Sequence, residues 1–388
     1  MKKEELITRG VERLIPEDLA KKKATSGKKM RVYWGIDPTG SRIHLGHSIP
    51  MRKLQAFADA GHEAVLLIGS FTAMIGDPSD QGAMRQPMTR KQVEENFETY
   101  KEQASKIFDF KKVKIVFNND WLDKLTFEDI IGIASNFTVQ QMSERAMFSE
   151  RMSKNKPVGL HEFLYPLMVG YDSVVLDVDC EIGGTDQEFN MLAGRTLQQA
   201  YDKRDKFVLT VPLLEGTDGR KMSKSYENCV YLDEEPREMF GKLLSIKDEL
   251  IVKYMHYCTD IPLDEIAKAE KEMKGGANPK DYKVLLAKEI VAMYHSTKEA
   301  DQVEEEFQRV FKEGGLPDDM PEATVKKNDT LIDVLVEQGL IASKSEARRL
   351  VDQGGIHLNN QPITSIEATV EEGIAKVGKR KFLKLSLR

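Results

Sequence analysis

Tyr33-Trp-Gly-Ile-Asp-Pro-Thr-Gly-Ser-Arg-Ile-His-Leu-Gly-His47 is the stretch that decides the fold. It opens inside Lys29–Ile36 (KMRVYWGI), which is apolar and β-branched and reads as a buried strand. A turn, DPTGSR, follows, and then a helix from about His44 to Ala60, with Pro50 tolerated in its first turns and Gly61 just past its end. A strand that feeds a helix in this way leaves free backbone N–H groups and the positive end of the helix dipole together, which favours phosphate. In an open parallel sheet, ligands sit at the carboxyl ends of strands. Gly35-x4-Gly40-Ser echoes a P-loop without its lysine, and no G-x-G-x-x-G follows any strand. An ordinary P-loop ATPase is therefore excluded and a dinucleotide reading is weak. His44 and His47 stand one helical turn apart around Gly46, which lacks a Cβ and lets a base or ribose approach the backbone. Imidazoles there can donate to phosphate oxygens. A zinc pair and a bland surface pair are the competing readings, and the first has no third ligand nearby.

Outward from this stretch, Ala64–Gly69, Val113–Phe117, Val174–Ile182 and Lys206–Val211 read as further strands, separated by helical patterns that include one over about 89–107. The alternation predicts an α/β fold with a Rossmann-like parallel sheet covered on both faces. Residues 1–27 read as a short helix (EELITRGVERLI) and a Lys-rich loop. After about 228 the pattern becomes helical, over Pro236–Ser245, Asp248–Tyr257, Leu263–Lys274, Pro279–Thr297 and 301–312. Gly314–Thr324, rich in Gly, Pro and acid, reads as a linker. The expected organisation is a catalytic domain over 1–228, a helical domain over 229–313, a linker over 314–328 and a small α+β domain over 329–388.

Composition limits the function classes. The chain has 388 residues, 40% hydrophobic and 31% charged, which excludes wholesale disorder. No apolar run approaches the ~18 residues of a membrane span, and MKKEELITRG has no apolar signal region. Cys180, Cys229 and Cys258 are scattered without a C-x-x-C, against a disulfide framework or a cysteine-rich zinc site. The expectation is a soluble, cytoplasmic protein with no membrane partner. The net charge is −6, yet 326–388 carries eleven Lys/Arg against eight Asp/Glu. A basic end on an acidic body suggests a polyanion partner, the alternative being a solvated tail.

A second segment, Gly219-Arg-Lys-Met-Ser-Lys-Ser225, puts two lysines three apart beside two hydroxyls on a Gly-led loop. Flexible point charges of this kind suit a triphosphate. Together, His-Leu-Gly-His and the later Lys-Met-Ser-Lys-Ser resemble the two signatures of class I aminoacyl-tRNA synthetases. Over essentially its full length the chain resembles bacterial-type tyrosyl-tRNA synthetases. The matching stretches are Tyr33–His47, Ile75–Ser79, Tyr165–Asp172, Gly183–Gln187 and the lysine loop.

The resemblance implies the following roles. Tyr33 and Asp172 would bind a substrate phenol, a device that rejects phenylalanine because a buried acceptor would be left unpaired. Asp77 and Tyr165 would hold the α-ammonium, with Gly35, Asp37 and Gln187 also at the tyrosine site. Asp186 would accept from the ATP ribose, Gly184 and Gly46 would give room for the nucleotide, and Met222 would lie beside it. His44, His47, Thr39, Lys221, Lys224 and Ser225 would contact phosphates in catalysis, with Arg85 near pyrophosphate. The implied activity is tyrosine–tRNA ligation: ATP and L-tyrosine form tyrosyl-adenylate, then tyrosine passes to the 3′ end of tRNA(Tyr). ATP with Mg²⁺, no tightly bound protein-ligated metal, and a homodimer are implied too. Three departures stand out: Val169 where the family usually has a glutamine, Gln81 where some members have lysine, and Trp34 where a small residue is common.

Asp329–Ile363 resembles the S4-type RNA-binding domain at the C-terminus of those enzymes. Its residues read the same way unaided. Leu331, Val334 and Leu335 form one helical stripe, Ser343 can cap a second helix carrying Lys344, Arg348 and Arg349, and Ile356–Ile363 is a strand and turn. Those cations suit an RNA backbone. A tryptophanyl-type enzyme, a small nucleotidyltransferase and a non-catalytic RNA-binding paralogue are the alternatives. The Tyr33/Asp172 pair, the tail and the intact motifs count against them in turn.

Overall fold

The computed structural model describes residues 5–79, 88–143, 146–312, 320–378 and 381–388. By its contacts the chain divides into a unit ending at Thr297 and a second unit from Lys298, whereas the sequence reading set boundaries at 228, 313 and 328.

The first unit is built on six strands: β1 (Arg13–Ile15), β2 (Arg31–Ile36), β3 (Glu63–Ile68), β4 (Val113–Phe117), β5 (Cys180–Gly184) and β6 (Phe207–Val211). Their order is β1-β6-β5-β2-β3-β4. All neighbours are parallel except β1, which pairs antiparallel with β6. The four inner strands carry the buried apolar runs expected of a sheet covered on both faces. The chain moves outward from β2 to β3 and β4, then returns to the other side of β2 with β5 and β6. The strand order thus reverses between β2 and β5, and loops leaving their carboxyl ends must diverge.

Two N-terminal expectations need correction. Arg13–Ile15 is an edge strand and not part of a helix, because it takes up the free edge of β6. The Lys-rich segment after it is a helix, Glu17–Thr25. The run Val174–Ile182 is also not one strand. Val174–Leu176 ends a long helix, Leu160–Leu176, which Asp177 closes in the left-handed conformation at φ 48°. Val174 packs with Leu167 and Leu197 in a cluster beside the sheet, so tertiary packing overrides the β-branched propensity. Only Cys180–Gly184 pairs as β5.

The helices Pro236–Leu244, Ile251–Cys258, Leu263–Lys274 and Pro279–Tyr294 belong to the same unit as the sheet. Fully buried Tyr254 donates to the Glu215 carbonyl at 2.6 Å, and Arg9 Nη2 donates to the carbonyls of Thr259 and Ile261 at 2.9 and 2.8 Å. These links tie the helices after 228 to the rest of the first unit. Among the described residues no helix is long and apolar enough to cross a membrane.

In the second unit, after the helix Thr297–Lys312, five strands take the order β7-β11-β10-β8-β9. They are β7 (Glu322–Val325), β8 (Ile356–Leu358), β9 (Gln361–Pro362), β10 (Gly373–Val377) and β11 (Lys381–Leu387). β7 falls inside the stretch read as linker and is a sheet strand there, because it pairs parallel with β11. The helix Lys344–Asp352 is capped by Ser343, whose hydroxyl accepts from the Glu346 N–H. Asn359 and Asn360, both at positive φ, make the tight turn from β8 to β9. Leu331, Val334 and Leu335 enter the core of this unit as their spacing predicts.

The helices Leu160–Leu176 and Glu188–Ala200 cross closely at Gly170. A Cβ there would lie 2.9 Å from Leu197 Cδ1 and 3.2 and 3.3 Å from the Ala193 backbone. Gly170→Ala should therefore destabilise the protein despite alanine's better helix propensity. Overpacking against backbone costs about 1–3 kcal/mol, more than the ~1 kcal/mol that propensity returns. Urea unfolding should give a lower midpoint at an unchanged slope.

Candidate active site

The crevice between the carboxyl ends of β2 and β5 is lined by Tyr33, Gly35 and Asp37 from the first strand and its exit, and by Glu181 and Gln187 from the second. The helix Leu160–Leu176 supplies Tyr165, Val169 and Asp172, which recur at four and three residues and so share one face. Of the tyrosine-site residues expected from the sequence, Tyr33, Gly35, Asp37, Tyr165, Asp172 and Gln187 thus meet in one pocket, and Asp77 joins it only through Gln187.

Asp172, 1% exposed, forms its floor. Its Oδ1 accepts from the Trp121 indole at 2.8 Å and its Oδ2 from Asn118 Nδ2 at 3.2 Å. Burial pushes this carboxyl well above the usual range, and the two donors pull it back. Tyr33 and Asp172 each have other partners, the Tyr33 hydroxyl lying 2.9 Å from Ser173 Oγ. Burial raises the Tyr33 hydroxyl well above an ordinary phenol, with the charges of Glu181 and Asp172 adding to it. A neutral hydroxyl beside a buried carboxylate can hold a polar group at the end of an apolar slot.

Nearer the mouth, Asp37 accepts from Tyr165 at 2.9 Å and from Thr72 Oγ1 at 2.7 Å. Gly69 permits this: a Cβ there would lie 1.8 Å from Asp37 Oδ1. Asp77 accepts from Gln187 Nε2 at 2.6 Å, and Gln187 in turn accepts from Asn190 at 2.8 Å. Three acidic or acceptor groups converge here, an arrangement fit for an ammonium. Val169 lines the same wall with only an apolar surface.

At the other end of the crevice, His44 caps the helix Leu45–Asp59, and its ring stacks on that of His47 with centroids 3.8 Å apart. Burial drives both imidazoles acidic, His44 well below the ordinary value and His47 to about 4, with Lys224 and Lys221 adding to the effect. Both are neutral at pH 7 and act as hydrogen-bonding groups, while the lysines carry the charge. Gly46 lies against the His44 ring, 3.0 Å from a would-be Cβ.

The lysine loop is a hairpin from the end of β6, with Met222 N–H donating to the Leu214 carbonyl at 2.8 Å. Lys221 Nζ reaches Asp186 at 3.1 Å. Lys224 lies over Gly40, where a Cβ would sit 1.7 Å from its Nζ. The exit of the loop then pairs with the entry of the histidine helix: Leu45 N–H donates to Val230 and Leu232 N–H to Ile43, both at 2.9 Å. The two motifs, about 175 residues apart in sequence, are therefore one hydrogen-bonded structure. Thr39 is exposed in the loop between β2 and this helix, Ser225 is exposed on the lysine loop, and Gly184 leaves room for Asp186. Arg85 and Gln81 lie outside the described residues. Lys344, Arg348 and Arg349 are exposed on the second unit.

Sequence reasoning missed Asn118 and Trp121, which hold Asp172, because an Asn and a Trp after β4 carry no motif. It also missed Asn228, 2% exposed, whose side chain ties Ser223, Asp218 and Lys221 into the loop. Ser173, Glu181 and Lys206, behind Tyr33, were missed as well. Among the described residues no group of three or more His, Cys, Asp or Glu side chains is placed to hold a metal ion.

Comparison with known proteins gives two family matches. The description "tRNA synthetases class I (W and Y)" fits residues 25–312, and "Tyrosine--tRNA ligase SYY-like C-terminal domain" fits residues 312–383. The chain is 46% identical to a tyrosine–tRNA ligase of Thermotoga maritima, over 98% of this chain and 96% of that one. It is 45% identical to that of Haemophilus influenzae, again over 98% and 96%. Among solved structures, a C-terminally truncated mitochondrial tyrosyl-tRNA synthetase of Aspergillus nidulans superposes with TM-score 0.68 at 23% identity, covering 80% of this chain and 94% of its own. A tyrosyl-tRNA synthetase of Archaeoglobus fulgidus, complexed with L-tyrosine, has TM-score 0.63 at 22% identity, covering 78% and 98%. These last two share the fold.

The depressed histidines carry a pH signature. Below about pH 6.5 the unfolded chain protonates His44 and His47 while the folded chain does not. The stability they contribute above that pH is lost as pH falls towards about 4. Urea midpoints taken from pH 7.5 to 4.5 should fall less steeply for His47→Gln than for the parent. Parallel slopes would show that His47 titrates normally.

Proposed function

The chain belongs to the class I tRNA synthetases of the tryptophan and tyrosine group, and from that premise we propose that it activates L-tyrosine with ATP and transfers it to tRNA(Tyr). The observation that carries the choice of amino acid is Asp172, a carboxylate buried at the floor of the pocket beside the Tyr33 hydroxyl. A phenol satisfies it. Phenylalanine would offer no donor to the Asp172 lone pairs left over by Trp121 and Asn118, and a missing hydrogen bond of this kind discriminates strongly without editing.

In the first step a carboxylate oxygen of tyrosine attacks the α-phosphorus of ATP. The bond to the β-phosphate bridging oxygen breaks, and pyrophosphate leaves. In the second, a 3′-terminal ribose hydroxyl of the tRNA attacks the carbonyl carbon and AMP departs. No enzyme nucleophile is required, so the protein's contribution is position and charge. Asp77 and Tyr165 would orient the ammonium, with Asp37 and Gln187 ordering that wall. Asp186 would take the ribose once Lys221 turns from it to phosphate. His44, His47 and Thr39 would donate to phosphate oxygens, while Lys221, Lys224 and Ser225 would close over the β- and γ-phosphates as charge builds there. Mg²⁺ is expected on the nucleotide as part of the substrate, and it would supply further charge neutralisation.

The family reading also implies a homodimer in the cytoplasm. Support for the dimer comes from one stretch of the first unit in which Phe127, Ile131, Val139 and Leu160 are 78%, 57%, 74% and 81% exposed. We place a second copy of the chain on that surface. The helices within 229–313 would meet the anticodon arm, and the cations of 329–388 the tRNA backbone.

Amino-acid-dependent ATP–pyrophosphate exchange tests the substrate, with tyrosine expected to support it and tryptophan not. Tyr33→Phe should lower the Tyr/Phe ratio of kcat/KM by a few-fold, the loss of a neutral hydrogen bond of about 0.5–1.5 kcal/mol. Asp172→Asn should lower it further. It removes a charged acceptor worth about 1.5–3 kcal/mol and turns an NH₂ towards the donors of Asn118 or Trp121. An unchanged ratio in both variants would mean that the pocket is assigned to the wrong residues.

A variant with Lys344, Arg348 and Arg349 all changed to Ala separates the two halves of the reaction. Pyrophosphate exchange should be unchanged, while tRNA charging weakens and its salt dependence becomes shallower by nearly one counterion per lost contact. Equal charging by parent and variant would remove these residues from the RNA site.

A further inference from the structure

Behind Tyr33 lies a polar cluster that the reaction as described does not use. Lys206, at the start of β6, has no exposed surface, and neither it nor Ser173 lines the pocket. Its ammonium is 2.8 Å from Ser173 Oγ and ion-paired with Glu181 on β5. Ser173 Oγ is in turn 2.9 Å from the Tyr33 hydroxyl. Gly194, on the helix Glu188–Ala200, makes space for the group: a Cβ there would lie 2.4 Å from Ser173 Oγ and 2.5 Å from Lys206 Nζ. Four elements converge to enclose one cation. Stability does not require it, since a buried ion pair is often no better than well-packed apolar residues of the same volume.

Proton accounting gives the cluster a direction. An ammonium only donates, so Ser173 accepts from Lys206. The one Ser173 proton then has two acceptors, Tyr33 Oη at 2.9 Å and Glu181 Oε2 at 3.3 Å. Glu181 can accept from both Lys206 and Ser173, but Tyr33 is the nearer acceptor for Ser173. With that lone pair occupied, the Tyr33 proton is shared between Glu181, to which the buried hydroxyl also hydrogen-bonds, and a group that enters the pocket. The Lys206–Glu181 ion pair offsets the pull of Glu181 on this proton, while Asp172 lies on the pocket side. We propose that Lys206 and Ser173 are positioning residues that turn the Tyr33 hydroxyl into a hydrogen-bond donor towards the substrate phenol. The chain of bonds runs from Lys206 through Ser173 and Tyr33 to the phenol oxygen, and the phenol's own proton goes to Asp172. Each bond polarises the next, and every lone pair and proton of the phenol group that faces the pocket is used.

This inference rests on the assignment of Tyr33 and Asp172 to the phenol, and a double-mutant cycle separates the two. Ser173→Ala should lower kcat/KM for tyrosine in pyrophosphate exchange by about three- to ten-fold, the scale of one neutral hydrogen bond. It should leave phenylalanine activation and the KM for ATP unchanged. In the Tyr33→Phe background, adding Ser173→Ala should change tyrosine kcat/KM by less than about two-fold, because the two residues act through one bond. Lys206→Met should show the same coupling to Tyr33. A loss shared equally by tyrosine and phenylalanine, or one that persists undiminished in the Tyr33→Phe background, overturns the inference and leaves the pocket assignment standing. If Tyr33→Phe itself leaves the Tyr/Phe ratio unchanged, the pocket assignment falls and this inference falls with it.

Discussion

β2 is hydrogen-bonded on one side to β3 over six residues and on the other to β5 over three. Because the chain runs outward from β2 in both directions, at different times, the loops that leave the carboxyl ends of β2 and β5 diverge. The crevice is a consequence of connectivity. Tyr33 and Asp37 stand on one lip and Gln187 on the other, and the helix Leu160–Leu176 closes the back. A second backbone link, between Ile43–Leu45 and Val230–Leu232, holds the histidine helix against the lysine loop. The distance between the two motifs in space is set by main-chain hydrogen bonds and does not depend on the long side chains that do the work.

Charge is divided along the crevice. The end formed by the Tyr33 pocket and its mouth collects carboxylates, Asp37, Asp77, Asp172 and Glu181, each supplied with specific donors. The outer end collects Lys221 and Lys224, and there the histidines stay neutral. Two imidazolium ions beside two lysines would repel one another and raise the cost of burial. Neutral imidazoles still donate hydrogen bonds and leave the positive charge to side chains that can move. A zwitterionic substrate fits this division, its ammonium towards the acidic end and its activated carboxylate towards the cations. The apolar surface of Val169 within the acidic end remains without a hydrogen-bonding replacement in its own position.

Much of the site was legible because its chemistry is local. His44 and His47 share a helix turn, Lys221 and Lys224 share a loop, and Ser343 sits at the start of its helix, so spacing alone places them. The residues that escaped notice act across elements. Trp121 and Asn118 reach Asp172 from beyond β4, and Lys206 reaches Ser173 from another strand. No spacing in the chain marks such pairs. The errors in secondary structure have the same origin. Val174 and Val175 favour a strand by propensity, but the helix they end is held by packing against Leu197, a residue on the next helix. Arg13–Ile15 and Glu322–Val325 are strands only because β6 and β11 offer free edges.

By itself the sequence determined the alternating α/β order, the histidine and lysine motifs, the helix caps and the basic tail. These follow from periodicity, turn chemistry and charge within a few residues of one another. Only the tertiary structure decided which strands are neighbours, how the helical layer joins the sheet, and which donors satisfy the buried carboxylates. Those outcomes depend on burial, and burial is a property of what lies opposite in space. In the sequence Lys206 only opens a strand; enclosed by Ser173, Glu181 and Gly194 it becomes a buried ammonium behind Tyr33.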